Sequence, residues 1–477
     1  MTIRADVVVV GAGASGLGAA TAARRRGASV VLVERGRLGG ECTWTGCVPS
    51  KALLHRAREV RDGRRQGLTG QVDVARILDE VRAASAAIGE DESAQVLAAH
   101  GIRVLTGDAR FTGPRALSVD GTALEARRAV VIATGSVPLV PAVEGLAAAA
   151  PLTNETVFDL RAAPRRLAVL GGGASGCELA QAFARLGSTV TLIEERRILA
   201  EEEPEAAQVL AGVLADDGVD VRAHVGVVRV TRTPTASDPA RPATLATSDG
   251  GSIGADAVLV AAGRRPRTDG LGLERAGVRV DERGWVMVDD RLRTSAVGVF
   301  AVGDVVGGLQ LTHAGYEMGA VAAGNALGRR SRAYGSAALP WATFTDPEIG
   351  RVGLTEAQAA QVHGDAARVA YLPMSETDRG RATGRTEGFV KLVAGPRRAL
   401  RGLGGGVLLG ATVVCPSGGD VVHEAAVLMR SGAFVGRLAQ TVHTYPSWSL
   451  AVRECAVQFF LPHRGRSARP ARRDGGN

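Results

Sequence analysis

The sequence predicts an α/β protein with two Rossmann-like units and an α+β C-terminal domain. Three observations carry that expectation. A strand, glycine-rich loop, helix and second strand near the N-terminus recur 160 positions later. Two more apolar runs, VVIATGS (130–136) and VLVAAGRRP (258–266), end in glycine exits near which the chain is expected to cross between units. From about residue 336 the pattern changes to strand-rich sequence with intervening helices and no such loop. The expected division is residues 1–145 with 265–335, residues 146–264, residues 336–463, and a basic tail at 464–477.

Composition narrows the class. The 477 residues are 45% hydrophobic and 22% charged, which excludes wholesale disorder. The 63 glycines follow no Gly-X-Y period, so tight turns or phosphate-cradling loops account for them. No apolar run approaches the roughly 18 residues of a membrane-spanning helix, and no membrane partner is expected. The N-terminus enters a strand without a signal-peptide pattern, and five cysteines in so long a chain make no disulfide framework. A reducing cytoplasm is the expected location. The net charge of +8 could attract nucleic acid, but the basic residues are dispersed except at Arg464, Arg466, Arg469, Arg472 and Arg473. That tail reads as a solvated, disordered end, and nucleic-acid binding is not expected. Only two of the 57 basic side chains are lysine, Lys51 and Lys391. A compact ammonium can do what a guanidinium cannot; compositional drift is the plain alternative.

The repeat aligns residues 6–37 with 166–197, and 14 of the 32 positions are identical, including Gly11/Gly171, Gly13/Gly173, Gly16/Gly176 and Glu34/Glu194. Each copy follows an apolar strand, opens an alanine-rich helix and reaches a second strand ending in glutamate, which is the full context of a dinucleotide fingerprint. The first glycine makes the turn, the second admits the backbone to a pyrophosphate, and the third closes helix onto strand. The glutamate accepts hydrogen bonds from a ribose. Two dinucleotides in one chain most simply mean FAD and a nicotinamide nucleotide in adjacent units. Glu194 favours NADH, because a carboxylate repels a 2′-phosphate; Arg196 and Arg197 lie close and leave NADPH open.

Between the repeats, Val74, Ile77, Leu78, Val81 and Ile88 predict an amphipathic helix over 73–88 packed on the first unit. Residues 231–251 read as a loop with short strands in the second unit. GVFAVGDVVG (298–307) reads as a strand leading to a turn at Asp304 and then a helix.

The first repeat is followed by LGGECTWTGCVPSKALLHRAREVR. Cys42 and Cys47 stand too far apart on an ideal helix for a disulfide, so the chain between them must depart from regular helix. A helix starting near Pro49 would point its positive end at Cys47 and lower that thiol's pKa, with Lys51 adding a cation. Two free buried cysteines and half of a metal site are the alternatives. Without a second Cys/His cluster the spacing suits zinc poorly, and no metal site is expected. Burial does not account for a glycine-flanked pair behind such a loop, so a redox-active disulfide is favoured.

GGECTWTGCVPSK resembles the active-site signature of the class I pyridine nucleotide-disulfide oxidoreductases, which include dihydrolipoamide dehydrogenase, glutathione reductase and mercuric reductase. The resemblance extends through both fingerprints, ATGS, AAGRRP, AVGDV and FTDPEIGRVGLTE, nearly the whole chain. It implies an FAD-containing enzyme, a homodimer whose partner completes each active site, and a C-terminal dimerisation domain. Cys47 would be the thiol beside the flavin and Cys42 the interchange thiol. Lys51, paired with Glu178, would lie near the flavin, and Asp304 would hold its ribityl chain. Gly40, Thr134 and Gly135 join the implied FAD set with Gly11, Gly13, Gly16 and Glu34. Gly263 joins Gly171, Gly173, Gly176, Glu178 and Glu194 on the nicotinamide side.

The departure lies at the C-terminal end. Where disulfide reductases of this family carry His-Pro-Thr-x-x-Glu, this chain has YPSWSL, with Tyr445 at the histidine position and Leu450 at the glutamate position. A phenol with pKa near 10 is a poor base. Mercuric reductases resemble this sequence in the tyrosine but add a C-terminal cysteine pair, absent here. His443, two residues earlier, would share a face with Tyr445 in an extended segment and could substitute as base. Cys177, Cys415, Cys455 and Lys391 read as structural. The expected function is electron transfer from NADH through flavin and the Cys42–Cys47 pair to a small acceptor such as a metal ion, quinone or other electrophile. A dihydrolipoamide dehydrogenase-like disulfide reductase using His443, and a catalytically reduced binding protein, are the alternatives.

Overall fold

In the computed structural model, residues 2–232, 242–397 and 403–473 are described. The chain enters through β1 (Ile3–Val10), whose VVVV run is buried on both faces, as a central parallel strand requires. It continues through α1 (Ala14–Arg25), β2 (Val30–Glu34), α2 (Gly40–Trp44), α3 (Cys47–Arg65), α4 (Val74–Asp91) and α5 (Ala94–Ala99). Then come β3 (Ile102–Thr106), β4 (Ala109–Gly113), β5 (Ala116–Val119) and β6 (Thr122–Ile132). The sheet runs β3-β2-β1-β6-β5-β4, parallel from β3 to β6 and antiparallel beyond.

Two findings here differ from the sequence expectation. The helix expected near Pro49 begins at Cys47, with Gly46 as N-cap, because the break falls at Thr45–Gly46. The amphipathic helix 73–88 extends to Asp91 and packs on more than the first unit. Its Leu78 and Val81 join a core that includes Leu53 and Leu54 of α3 but also Val157 and Phe158 further along. Ile88 stays 43% exposed.

The second unit is entered through β7 (Ser136–Pro138). It comprises β8 (Arg166–Leu170), α6 (Ala174–Arg185), β9 (Thr189–Glu194), α7 (Pro204–Asp216), β10 (Val219–Ala223), β11 (Val227–Thr231), β12 (Ala243–Thr247), β13 (Ser252–Ala255) and β14 (Ala257–Val260). A parallel sheet, β10-β9-β8-β14, is backed by an antiparallel β11-β12-β13 layer. Part of the loop expected over 231–251 forms β12, and residues 233–241 lie outside the described residues. The chain leaves through β15 (Arg264–Pro266), antiparallel to β7. It then passes the short α8 (Leu273–Ala276) and returns to the first sheet as β16 (Val299–Ala301) beside β6. Asp304 follows in a short 3₁₀ turn before α9 (Thr312–Leu327). α9 packs tightly on α1 because Gly18 and Gly319 leave no side chain between them.

The C-terminal domain is one antiparallel sheet. Its strands are β17 (Pro340–Thr343), β18 (Glu348–Gly353), β19 (Arg368–Pro373), β20 (Phe389–Gly395), β21 (Val407–Cys415) and β22 (Arg469–Pro470), with α10 (Glu356–His363) after β18. The order is β17-β18-β21-β20-β19-β22. The strand β22 corrects the expectation of a solvated tail. Through residue 473 the segment is tied down: Arg466 pairs with Glu376 at 2.7 Å, Arg469 with Glu356, and β22 pairs with β19. Each partner stands 90 or more residues upstream, so nothing local in the tail announces it. Lys391 is fully buried among Glu203 (3.2 Å), Glu205 (2.6 Å) and Glu356 (2.9 Å), tying α7 of the second unit to this sheet. Cys177, Cys415 and Cys455 are buried in apolar cores. Among the described residues no helix is long and apolar enough to cross a membrane.

Candidate active site

Both fingerprint loops open onto one cleft of about 1110 Å³. In each copy the third glycine has no room for a side chain: a Cβ at Gly16 would strike Gly11 O, and one at Gly176 would strike Gly171 O. The second glycine is the opposite case. A Cβ at Gly13 would reach only the Gly40 backbone at 3.9 Å, and at Gly173 it would meet nothing within 4 Å. These positions border open space where α1 and α6 begin, and neither helix start has a side-chain cap. Uncapped helix N–H groups facing an open glycine floor fit a pyrophosphate. Thr134 Oγ1 is buried on the cleft wall without a hydrogen-bond partner, as expected of an atom awaiting a cofactor group. Gly135 and Gly263 line the same cleft.

The two glutamates act on their loops identically. Glu34 accepts from Ala12 N (2.7 Å) and Gly36 N (2.8 Å), and Glu194 accepts from Gly172 N (2.7 Å) and Arg196 N (2.9 Å). The basic neighbours of Glu194 are otherwise engaged. Arg197 donates to the carbonyls of Leu199, Ala200 and Glu202, while the Arg196 guanidinium reaches Glu201 at 3.1 Å.

Cys42 on α2 and Cys47 at the start of α3 are free thiols within hydrogen-bonding reach of each other across the Thr45–Gly46 break. Cys47 is exposed, but to the cleft. A hydrogen bond from Cys42 lowers the Cys47 pKa most, and Thr312 and Lys51 add to it against burial, bringing it to about 6. Cys42, donating to Cys47 and partly buried, is pushed well up. The helix start at Cys47 acts in the same direction as Lys51. Thr312, first residue of α9, lies 3.2 Å from Cys47 Sγ. Sequence reasoning missed it, because its only signal is its place after the Asp304 turn.

Lys51 Nζ donates to Glu178 Oε2 at 2.9 Å, joining α3 to α6. The other oxygen, Oε1, accepts from Phe344 N at 2.8 Å, and the Phe344 ring lies 4.5 Å from Nζ. Asp304 accepts from Ser136 Oγ at 2.8 Å, and Arg264 lies 3.8 Å from it. Arg264 also pairs with Glu41, the residue before Cys42, whose carboxyl is raised by burial despite that partner. Asn154 Nδ2 bridges Glu41 Oε1 (3.0 Å) and Thr45 O (3.2 Å), pinning the break between the cysteines. Arg264, Glu41 and Asn154 carry no signal in the sequence beyond their motif neighbours.

His443 and Tyr445 are not brought together with the thiols within this chain; neither lines the cleft. Nor do they share a face, contrary to expectation. The His443 ring is nearly buried, with Nδ1 facing Thr441 O and Nε2 facing Glu424, each at 2.9 Å. Tyr445 is 69% exposed and its hydroxyl donates to Asp378 at 3.2 Å. Those two acceptors draw the histidine inward and leave the phenol outside. The Asp378 charge raises the Tyr445 pKa, so the phenol stays protonated and serves as a donor. Among the described residues no group of three or more His, Cys, Asp or Glu side chains could hold a metal ion.

Comparison with known proteins agrees with this geometry. Residues 5–319 match the family model described as pyridine nucleotide-disulphide oxidoreductase, and residues 339–456 match the dimerisation domain of the same family, which supports a homodimer. The chain is 37% identical to a mercuric reductase of Streptomyces lividans, covering 95% of this chain and 96% of that one. It is equally 37% identical to a dihydrolipoyl dehydrogenase of Thermus scotoductus, covering 94% and 96%. Among solved structures, the Cu(II) complex of the HOCl-induced flavoprotein disulfide reductase RclA from Escherichia coli superposes with a TM-score of 0.84 at 27% identity, covering 95% of this chain and 99% of that one. The chain belongs to the class I pyridine nucleotide-disulfide oxidoreductases, enzymes that use FAD and NAD(P)H.

Proposed function

We propose that this enzyme passes electrons from NADH to a small acceptor that needs no protein acid or base, a thiol-binding metal ion such as Hg(II) or Cu(II) or an organic electrophile such as a quinone. The carrying observation is the state of His443: both ring nitrogens face acceptors, so neither is free to take a proton from a substrate thiol. Bound FAD would supply the relay of two electrons from nicotinamide to the cysteine pair. Gly11, Gly13, Gly16, Glu34, Gly40, Thr134, Gly135 and Asp304 would hold it. Gly171, Gly173, Gly176, Glu194 and Gly263 would hold the nicotinamide nucleotide. The engagement of Arg196 and Arg197 elsewhere supports NADH over NADPH.

The proton count favours this reading. One hydride carries two electrons and one proton, which convert a Cys42–Cys47 disulfide into one thiolate and one thiol. Thiolate at Cys47 and thiol at Cys42 match the opposite pKa directions of the pair. When two electrons leave Cys42 for one Hg(II) or for two Cu(II), the disulfide reforms and one proton goes to solvent; a quinone would take that proton and a second one from solvent. The ammonium of Lys51 stabilises negative charge beside Cys47, and Glu178 orients it. Tyr445 and its exposed neighbour Val442 (92%) would face the partner subunit in the homodimer. The changes of sheet support the expected three-unit division, with the two crossings at β7 and β15, and a cytoplasmic location fits a reduced dithiol.

Rapid mixing with NADH should produce a long-wavelength thiolate–flavin absorption that Cys47→Ser abolishes; its survival in that variant would reverse the thiol assignment. An acceptor panel of Hg(II), Cu(II), quinone, lipoamide and glutathione disulfide should show turnover with the first three. The identity to a dihydrolipoyl dehydrogenase favours a second reading, disulfide reduction. Turnover of lipoamide that depends on His443 would establish it and displace the first.

A further inference from the structure

Residues 344–346 enter from the C-terminal sheet between β17 and β18 and contact both helices that carry the Lys51–Glu178 pair. Glu178 is buried and has two carboxylate oxygens; Lys51 takes one and the Phe344 N–H the other. With both oxygens fixed, the carboxylate cannot swing and the ammonium has one place to sit. The Phe344 ring lies against one side of the ammonium at 4.5 Å, a cation–π contact.

The segment is anchored two residues on. Asp346 is 1% exposed and faces Arg61 of α3 at 2.8 Å, Arg185 of α6 at 3.1 Å, Arg58 of α3 at 3.8 Å, and Arg385. Its backbone also exchanges hydrogen bonds with Gln181 of α6, at 2.7 Å and 3.0 Å. Arg58 and Arg61 lie about three and four turns along the helix that starts at Cys47, and Gln181 and Arg185 lie about one and two turns beyond Glu178. One carboxylate thus holds in register the two helices whose first turns present the thiol and the ion pair.

We propose that Phe344 and Asp346 are positioning residues of the redox site: Phe344 fixes the Lys51 ammonium against Glu178, and Asp346 locks the C-terminal domain onto both helices at that spacing. This rests on the reading that Lys51 serves the thiols. The groups facing Cys47 are the Cys42 thiol from α2, Lys51 from α3, Glu178 from α6 and the Thr312 hydroxyl from α9. Of these, Lys51 supplies the positive charge, so loosening it must raise the Cys47 pKa.

The test uses the full-length, FAD-loaded enzyme with the cysteine pair reduced, and reads the pH dependence of Cys47 alkylation by iodoacetamide. Phe344→Leu keeps the backbone N–H and most of the volume but removes the ring face. Its alkylation midpoint should rise by about half a pH unit, and its reduction by NADH should slow about two- to fivefold. Phe344→Tyr should restore both values, and Asp346→Asn should shift the midpoint the same way as Phe344→Leu. Asp346→Asn strips a buried charge and can unfold the protein; the Leu and Tyr pair at 344 then decides alone. A midpoint and rate in Phe344→Leu equal to wild type would overturn the proposal while leaving the redox reading intact. A wild-type enzyme that NADH cannot reduce, with Cys47 titrating as an ordinary thiol, would remove the redox reading and this proposal with it.

Discussion

Lys51 and Lys391 are the chain's only lysines, and they occupy opposite surroundings. The Lys51 side chain is 33% exposed and shares one carboxylate. Lys391 is fully buried and directs its three N–H donors at three carboxylates from two elements of the fold. An ammonium suits both sites, for different reasons. At Lys391 a tetrahedral donor satisfies acceptors arranged around a point, which a planar guanidinium cannot do. At Lys51 the compact charge reaches beside a sulfur while its stem stays in the cleft wall. The number of acceptors and access to solvent separate a charge enclosed by the architecture from one left open to the cleft.

The comparison can be broken most easily at the buried site. Lys391→Met leaves Glu203, Glu205 and Glu356 with Arg469 as the remaining cation nearby, and should cost about 3–5 kcal/mol in denaturant unfolding. The thiolate chemistry of that variant should be unchanged where it remains folded. Lys51→Met should do the reverse. Reduction by NADH should fall by roughly 10²–10³-fold, the usual effect of losing one preorganised charge donor. Its stability loss should be smaller than that of Lys391→Met, because one buried carboxylate, Glu178, is left unpaired instead of three. Equal stability losses in both variants would erase the distinction.

Acid sharpens it further. Burial alone would raise the Asp346 and Glu356 carboxyls. Arg58, Arg385 and Arg185 at the first, and Arg469 with Lys391 at the second, more than offset it and hold both below the ordinary range. A folded pKa below the unfolded one adds stability that is present above about pH 4 and lost as pH falls through the folded value. Unfolding measured from pH 7 to pH 3 should therefore show a steep loss at the low end, smaller in Asp346→Asn and in Lys391→Met. The smallest effect is expected at Tyr445. Tyr445→Phe removes a donor already committed to Asp378, so turnover with a metal acceptor should change by less than about threefold.

What the sequence could convey follows from how local each feature is. The two fingerprint loops are legible because all their constraints lie within 30 or so residues and occur twice, so Gly11 and Gly171, or Glu34 and Glu194, vouch for each other. The Lys51–Glu178 pair, separated by 127 positions, was reachable only through family resemblance. Thr312, Asn154, Arg264 and Phe344 were not reachable, because each acts across a long separation with a single atom or ring. The tail failed for the same reason. Its arginines look solvated until Glu356 and Glu376 are folded beside them, and β22 has no apolar run to advertise a strand. Strand alternation would set His443 on the face of Tyr445, but the rule does not hold in a segment where one side chain finds two acceptors and turns inward.

The β7–β15 ribbon has a further consequence. The chain departs and returns through adjacent antiparallel strands, with Arg264 opposite Pro138 and Leu139 N bonded to Gly263 O at 3.0 Å. Everything between is thus a module plugged into a two-pronged socket. Joining the prongs directly would leave the first sheet uninterrupted, with no crossing of the backbone to undo. The second unit is a cassette that could be exchanged at two neighbouring positions of the chain without rethreading the rest.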